Sequence, residues 1–319
     1  MAERVPELAL VTGQKMPVVG FGTATLSMPS DQLVSIFLES IEAGYRHFDT
    51  ALAYPTEQPL GRAIEEALQR GLIESRDELF ITSKVWCTHA HRDLVLPSIK
   101  ETLSNLGLEY LDLCLLHFPV RLKLKEISFV FDKEDIIPFE MGPTWEAMEE
   151  CQRLGLTKSI GVSNFTCKKL TELLSIAQIP PVVNQVEFNV GWQQRKLTDF
   201  CKEKGIVICA WSPLGAYGTS WGTNAVLENG VLNQIAQARG KTTAQVALRW
   251  IYEQGVVIIV KSFNKERMRE NLKIFDWELS EDDSRRICEI PQRRGYSGDS
   301  FVSPNGLFKT REEFWDGEI

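Results

Sequence analysis

No two of the seven cysteines are spaced as C-x-x-C, and no uncharged apolar run is long enough to cross a bilayer. An odd number of scattered cysteines reads as free thiols in a reducing cytosol rather than a disulfide framework. The opening stretch "MAERVPELAL" carries acids where a secretory leader needs a long apolar run, so a cytoplasmic protein is expected. Excess positive charge is missing too. Lys and Arg total 35 against 43 Asp and Glu, a net charge of −8, which argues against a general nucleic-acid or anionic-membrane surface. There is no low-complexity segment and no Gly/Ser linker, so residues 1–319 read as one domain with a large core.

Two glycine motifs lack the context they need. "GFGTAT" has Gly20 and Gly22 but Thr25 in the third position, and no helix opens there, which disfavours a doubly wound dinucleotide fold. "GTSWG" resembles a nucleophile elbow, but several loop residues separate Ser220 from the nearest strand. None of the four histidines follows His117, so a Ser-His hydrolase order is absent. His89 and His91 have no cysteine or carboxylate pattern behind them. They read as solvated loop histidines, and no metal site is expected.

What is present is alternation. Eight apolar runs ("PVVGFG", "YRHFDT", "LFITSK", "LDLCLLH", "KSIGVS", "VVNQVE", "IVICAW", "VVIIV") alternate with amphipathic helical stripes. Runs as continuous as 256–260 suit parallel strands buried on both faces. Ser30 is expected to cap a helix with Leu33, Ile36, Phe37 and Ile41 on one stripe and Gly44 at its end. Leu60, Ile64 and Leu68 repeat the pattern, as do Ile99, Leu103 and Leu106, then Leu170, Leu173 and Leu174, then Val246 and Trp250. The fold class expected is α/β, a (β/α)8 TIM barrel. A hairpin turning at Thr12–Gly13 would cap its bottom. Long connections at 118–142 and 215–228 and an aperiodic tail after Pro291 are expected over the C-terminal face.

In such a barrel the strand ends face the active site. Asp49 ends the second strand with Tyr54 just beyond, Lys84 ends the third, and His117 ends the fourth. An acid, a phenol, an ammonium and an imidazole on adjacent strand ends suit proton delivery to a carbonyl while a hydride arrives. A phenol titrates near ~10. A cation at its oxygen lowers that value, so Lys84 is expected to acidify Tyr54, with Asp49 fixing Lys84 and His117 orienting the substrate oxygen.

The stretches "GYRHFDTALAY", "ITSK", "LLHFP", "GVSNF", "NQVE" and "KSFNKERMRENL" resemble the aldo-keto reductase superfamily, in order, over essentially the whole chain. The resemblance implies NADPH as cofactor and the tetrad Asp49, Tyr54, Lys84 and His117. It further implies that Ser163, Asn164 and Gln185 hold the nicotinamide carboxamide and that Trp211 stacks on the ring. Gly22, Thr23, Ser212 and Leu214 would lie along the cofactor, with Lys261, Ser262, Phe263, Arg267, Glu270 and Asn271 around the adenosine phosphate. Phe118 stands where many relatives carry Trp, Val260 where Pro is common, and Pro55 where Gly is frequent.

"AMEECQRLGL", "LRWIYEQG" and "FKTREEFWDGEI" resemble the plant branch of the family. That branch includes codeinone, methylecgonone and chalcone (polyketide) reductases and deoxymugineic acid synthase. The resemblance implies a monomer that reduces a ketone, an aldehyde or a related C=N bond, the ketone being alkaloid-like by the pocket expected from Trp86, Phe118, Trp211 and Trp221 together with Tyr54 and His117. Polyketide-type and deoxymugineic acid-type reductases are alternatives. So is a non-catalytic NADPH-binding barrel like the potassium-channel β-subunits, although such proteins tend to lack the His that stands here as His117.

Overall fold

The computed structural model describes residues 5–219 and 221–319, so Ser220 of the rejected nucleophile motif lies outside it. The chain starts with a hairpin, β1 (Glu7–Ala9) against β2 (Lys15–Pro17), which turns at Gly13 with φ +82. The strands that follow are β3 (Val19–Gly22), β4 (His47–Asp49), β5 (Phe80–Val85), β6 (Leu111–Leu116), the short antiparallel pair β7 (Arg121–Leu122) and β8 (Ile136–Ile137), β9 (Thr157–Ser163), β10 (Val183–Glu187), β11 (Val207–Trp211) and β12 (Val257–Val260). Among the described residues, β3, β4, β5, β6, β9, β10, β11 and β12 pair in parallel and close into a barrel. All eight expected strands are there, in the expected order.

Helices α1 (Ser30–Ala43), α2 (Glu57–Gln69), α3 (Arg92–Leu106), α4 (Met141–Arg153), α5 (Cys167–Ile176), α6 (Arg195–Glu203), α7 (Gly230–Arg239), α8 (Thr243–Glu253), α9 (Lys265–Asn271), α10 (Glu281–Cys288) and α11 (Arg311–Phe314) accompany them. Leu33, Ile36, Phe37 and Ile41 bury one stripe of α1, and Gly44 ends it in the left-handed conformation, as expected. Two details differ. Ser30 is the first helical residue and caps nothing; Pro29 holds the cap position, and the Ser30 hydroxyl instead accepts from Arg62 on α2 at 3.3 Å. Leu68 falls beyond the buried stripe of α2 and is 37% exposed. No helix among the described residues is long and apolar enough to cross a membrane. None of the cysteines is bonded to another, and all but the half-buried Cys288 are buried.

Strand alternation sorts side chains into two cores. Phe48, Ile81 and Cys114 face outward against the helices. Phe80, Leu113, Leu115, Val183, Cys209 and Val257 fill the barrel's lower interior, where Met16 of the hairpin joins them. The hairpin therefore plugs the bottom. Its turn is tied down by Gln14 Nε2 donating to Asp112 at 3.0 Å and by Ser159 Oγ donating to Gln14 Oε1 at 2.9 Å. Above this plug His47 spans the interior, bonded to the Pro17 carbonyl and the Thr82 hydroxyl, both at 3.2 Å. Position 20 must be glycine, because a Cβ there would come within 2.8 Å of the His47 ring.

Candidate active site

The same period of two lifts one set of polar side chains to the top of the interior. Asp49 follows His47 by two residues, Lys84 follows Thr82, His117 follows Leu115, and Gln185 follows Val183. Lys84 Nζ donates to Asp49 Oδ1 at 2.6 Å and to the Thr50 carbonyl at 2.8 Å, with both side chains almost fully buried. The other Asp49 oxygen accepts from Gln185 Nε2 at 2.7 Å. Above this pair, Tyr54 Oη and His117 Nε2 stand 3.4 Å apart, and the ammonium lies 5.3 Å from the Tyr54 ring centre. The four residues expected at adjacent strand ends thus meet in one place.

Their electrostatics depart from expectation in one respect. Burial first, and the Asp49 charge second, push the Tyr54 phenol well above its usual range. Lys84 bonds to Asp49 and Thr50 rather than to the phenol oxygen, and burial with the Asp49 charge outweighs the acidification expected of it. The phenol is held protonated. Burial, and then the Lys84 charge, push His117 well below 6.5, so the imidazole is neutral. Its Nδ1 is buried without a partner among the described residues, against Trp86 at a ring separation of 5.0 Å.

A second network runs from the pair toward Trp211. Ser163 Oγ donates to the Gln185 carbonyl at 2.7 Å. Asn164, at φ +64, donates from Nδ2 to the His117 carbonyl at 2.9 Å and to Ser163 Oγ at 3.0 Å, and its Oδ1 accepts from Trp211 Nε1 at 3.2 Å. Both ends of the Asn164 amide are thus engaged by protein, whereas Gln185 Oε1 takes no hydrogen bond among the described residues.

The other expected cofactor positions divide by exposure. Arg267 is exposed, and its guanidinium pairs with nothing among the described residues. Lys261 reaches the Ala24 carbonyl at 2.9 Å and lies over Phe263. Ser262, Phe263, Glu270, Ser212 and Leu214 are half-buried along the same side, with Ser212 at φ +51. Gly22 is buried against Ile259 and Lys261. Thr23 and Asn271 depart from expectation. Thr23 is 0% exposed, with its hydroxyl consumed by the Asp49 carbonyl and Thr56, both at 3.0 Å. It holds backbone and offers no side chain to a ligand. Asn271 is buried beside the Tyr45 hydroxyl.

Around the mouth the expected Trp86, Phe118, Trp211 and Trp221 are joined by two rings that the sequence reading missed. Phe129, from the long loop after β6, stacks over Tyr54 at 5.9 Å and meets Trp86 at 4.8 Å. Tyr296, from the tail, touches Phe118 at 5.9 Å, Trp211 at 6.0 Å and Trp221 at 5.8 Å. Trp221 is 39% exposed and forms the outer rim. The only signal for Phe129 and Tyr296 was an aromatic inside a long aperiodic segment. His89 and His91 are half-buried rather than solvated, because His91 Nε2 is drawn to the Leu122 carbonyl at 2.7 Å, tying down the loop. No group of His, Cys, Asp and Glu among the described residues is placed to hold a metal.

The family model described as "Aldo/keto reductase family" matches residues 18–291. Among characterised proteins, the (1S)-1,7-diacetoxy-luvungin A aldo-keto reductase of Citrus sinensis is 58% identical, covering 100% of both chains. Deoxymugineic acid synthase 1 of Zea mays is 57% identical, covering 95% of this chain and 97% of its own. The Bombyx mori aldo-keto reductase, solved in complex with NADP, superposes with a TM-score of 0.82 at 35% identity, over 92% of this chain and 96% of that one.

Proposed function

The chain belongs to the aldo/keto reductase family and is an oxidoreductase, and we infer that it uses NADPH to reduce an apolar, ring-containing ketone or aldehyde to its alcohol. One observation carries the reading: the Tyr54 phenol and the His117 imidazole stand 3.4 Å apart among the rings of Trp86, Phe118 and Phe129, beside a buried Lys–Asp pair.

In this reading the substrate oxygen sits between Tyr54 Oη and His117 Nε2, accepting from both. As negative charge builds on that oxygen, Tyr54 gives up its proton, and the phenolate left behind faces the Lys84 cation. Asp49 keeps that cation in place, and the aromatic walls exclude water. NADPH, when bound, supplies the hydride.

Features of this chain support the cofactor. Gln185 Oε1 is an acceptor left open for a carboxamide N–H, and the half-buried Trp211 offers a ring to stack on. Arg267 and Lys261 supply charge for a 2′-phosphate, which favours NADPH over NADH. The structure related at 35% identity carries NADP. For the substrate, identity alone does not choose, because the Citrus and Zea relatives are almost equally similar and act on unlike compounds by name. The ring-lined mouth favours a polycyclic, alkaloid-type ketone.

The test follows NADPH oxidation with aromatic aldehydes and with tropane, morphinan and polyketide-like ketones, in the parent and in Tyr54→Phe. We expect kcat to fall about 10²–10⁴-fold in the variant with NADPH affinity unchanged. Equal rates in the two proteins would remove Tyr54 as the acid.

A further inference from the structure

Glu187 ends β10, two residues after Gln185, and is 3% exposed, yet it takes no part in the chemistry above. No cation bonds to it among the described residues. The nearby Arg294 guanidinium lies instead between the rings of Trp192 at 4.8 Å and Trp315 at 3.8 Å and donates to the Glu318 carbonyl. A buried carboxylate needs compensation, and here backbone supplies it. Gly295 N donates to Oε1 at 3.0 Å and to Oε2 at 3.2 Å, and Tyr296 N donates to Oε2 at 2.9 Å. The approach is close enough that a Cβ on residue 295 would come within 2.4 Å of Oε1.

We propose that Glu187 is a positioning residue whose carboxylate clamps the tail at Gly295–Tyr296 and thereby sets where the Tyr296 ring stands in the pocket wall. The substrate half of this proposal rests on the reductase reading; the clamp itself does not. Tyr296 is the one tail ring that touches Phe118, Trp211 and Trp221 together. Only a side chain that accepts at both ends matches two neighbouring N–H groups. A glutamine would satisfy one and set its own N–H₂ against the other. The rest of the tail is held independently. Trp315 Nε1 donates to the Ser297 carbonyl at 2.8 Å, and Thr166 Oγ1 donates to Asp316 at 2.6 Å. Losing the clamp therefore loosens residues 295–296 without releasing the tail.

The experiment compares the parent with Glu187→Gln, Gly295→Ala, Tyr296→Ala and the Glu187→Gln/Tyr296→Ala double variant. Three quantities are read: amide hydrogen exchange at residues 295 and 296, NADPH affinity, and steady-state kinetics with benzaldehyde and a tetracyclic steroid ketone. We expect faster exchange at both amides in Glu187→Gln and a KM for the steroid ketone raised about tenfold, the loss of one charge-assisted bond. NADPH affinity and benzaldehyde kcat should not change. Gly295→Ala, which keeps the charge, should show the same split in KM, and the double variant should be no worse than Tyr296→Ala alone. Unaltered exchange in Glu187→Gln would overturn the clamp whatever the kinetics show. An equal loss with both carbonyls, or additive effects in the double variant, would reduce Glu187 to a structural role. A parent that reduces neither carbonyl would refute the reductase reading, while the exchange data would still decide the clamp.

Discussion

Replacing Lys84 with methionine removes one member of a buried ion pair and leaves the other behind. With side chains 1% and 6% exposed and Nζ 2.6 Å from Oδ1, the pair is scarcely screened by solvent. At an effective dielectric near ~20, charges at that separation attract by about 6 kcal/mol before desolvation. Desolvation offsets much of this in the intact protein, but the offset persists when one partner is deleted. A single deletion in such a pair costs about 3–5 kcal/mol. Asp49 would keep the Gln185 amide as its remaining side-chain donor, at 2.7 Å.

We therefore expect Lys84→Met and Asp49→Asn each to lose about 3–5 kcal/mol in guanidinium unfolding followed by tryptophan fluorescence. The Lys84→Met/Asp49→Asn double variant should lose much less than the sum, because no lone charge remains. Turnover should be severely reduced in all three, since none presents a held cation beneath Tyr54. Stability and activity would thus separate in the double variant. Additive stability losses, or a loss under about 1 kcal/mol in the single variants, would refute the view that the pair is a tightly coupled buried unit.

Further expectations follow from the same geometry. Arg267→Ala should weaken NADPH binding about ten- to hundredfold, the worth of one or two charge-assisted bonds, while leaving NADH affinity nearly unchanged; equal losses for both would place Arg267 away from the 2′-phosphate. The Tyr54 phenol is pushed above its usual range and the His117 imidazole below its own, so kcat/KM should be flat from about pH 7 to 9. A limb inside that window would show one of the two assignments to be wrong. Burial lowers His47 to about 4, so between about pH 6.5 and that value the unfolded chain binds a proton that the folded one refuses. Stability should fall as pH is lowered through this window, by about 1.4 kcal/mol per unit relative to His47→Gln, measured by urea unfolding at each pH. Met16→Ala should cost about 2–5 kcal/mol in the same assay with KM unchanged, because Met16 is buried in the barrel's lower plug, remote from the mouth.

The barrel was legible because its strands are buried on both faces, so 207–211 and 257–260 stand out as runs without alternation. Asp49, Lys84 and His117 were legible because polar groups that end apolar strands have one destination in this architecture. Where the reading failed, the deciding partner is distant in sequence. Ser30 looks like a cap until Arg62 claims its hydroxyl. Thr23 looks like a ligand contact until Asp49 and Thr56 consume it. Phe129 and Tyr296 sit in segments without period, and nothing local says that one covers Tyr54 and the other Trp211. Glu187 stands in the quoted "NQVE", but its donors lie 108 and 109 residues away.

The resting phenol also bears on how the site divides its labour. A side chain that must hand over a proton has to hold one first, and the burial that raises Tyr54 secures this without help from Lys84. The ammonium, engaged by Asp49 and the Thr50 carbonyl, costs the resting phenol nothing and stands 5.3 Å from its ring centre. Its field matters once Tyr54 becomes a phenolate, when the same burial would otherwise oppose the product of the transfer. Stabilising the phenolate is the acidification expected of Lys84, set here against a larger opposing effect of burial. Lys84→Met should then depress kcat while leaving the phenol protonated in the free enzyme, so the Tyr54 absorbance of the variant should show no phenolate at neutral pH. Phenolate in the variant, or its presence in the parent, would reverse the assignment.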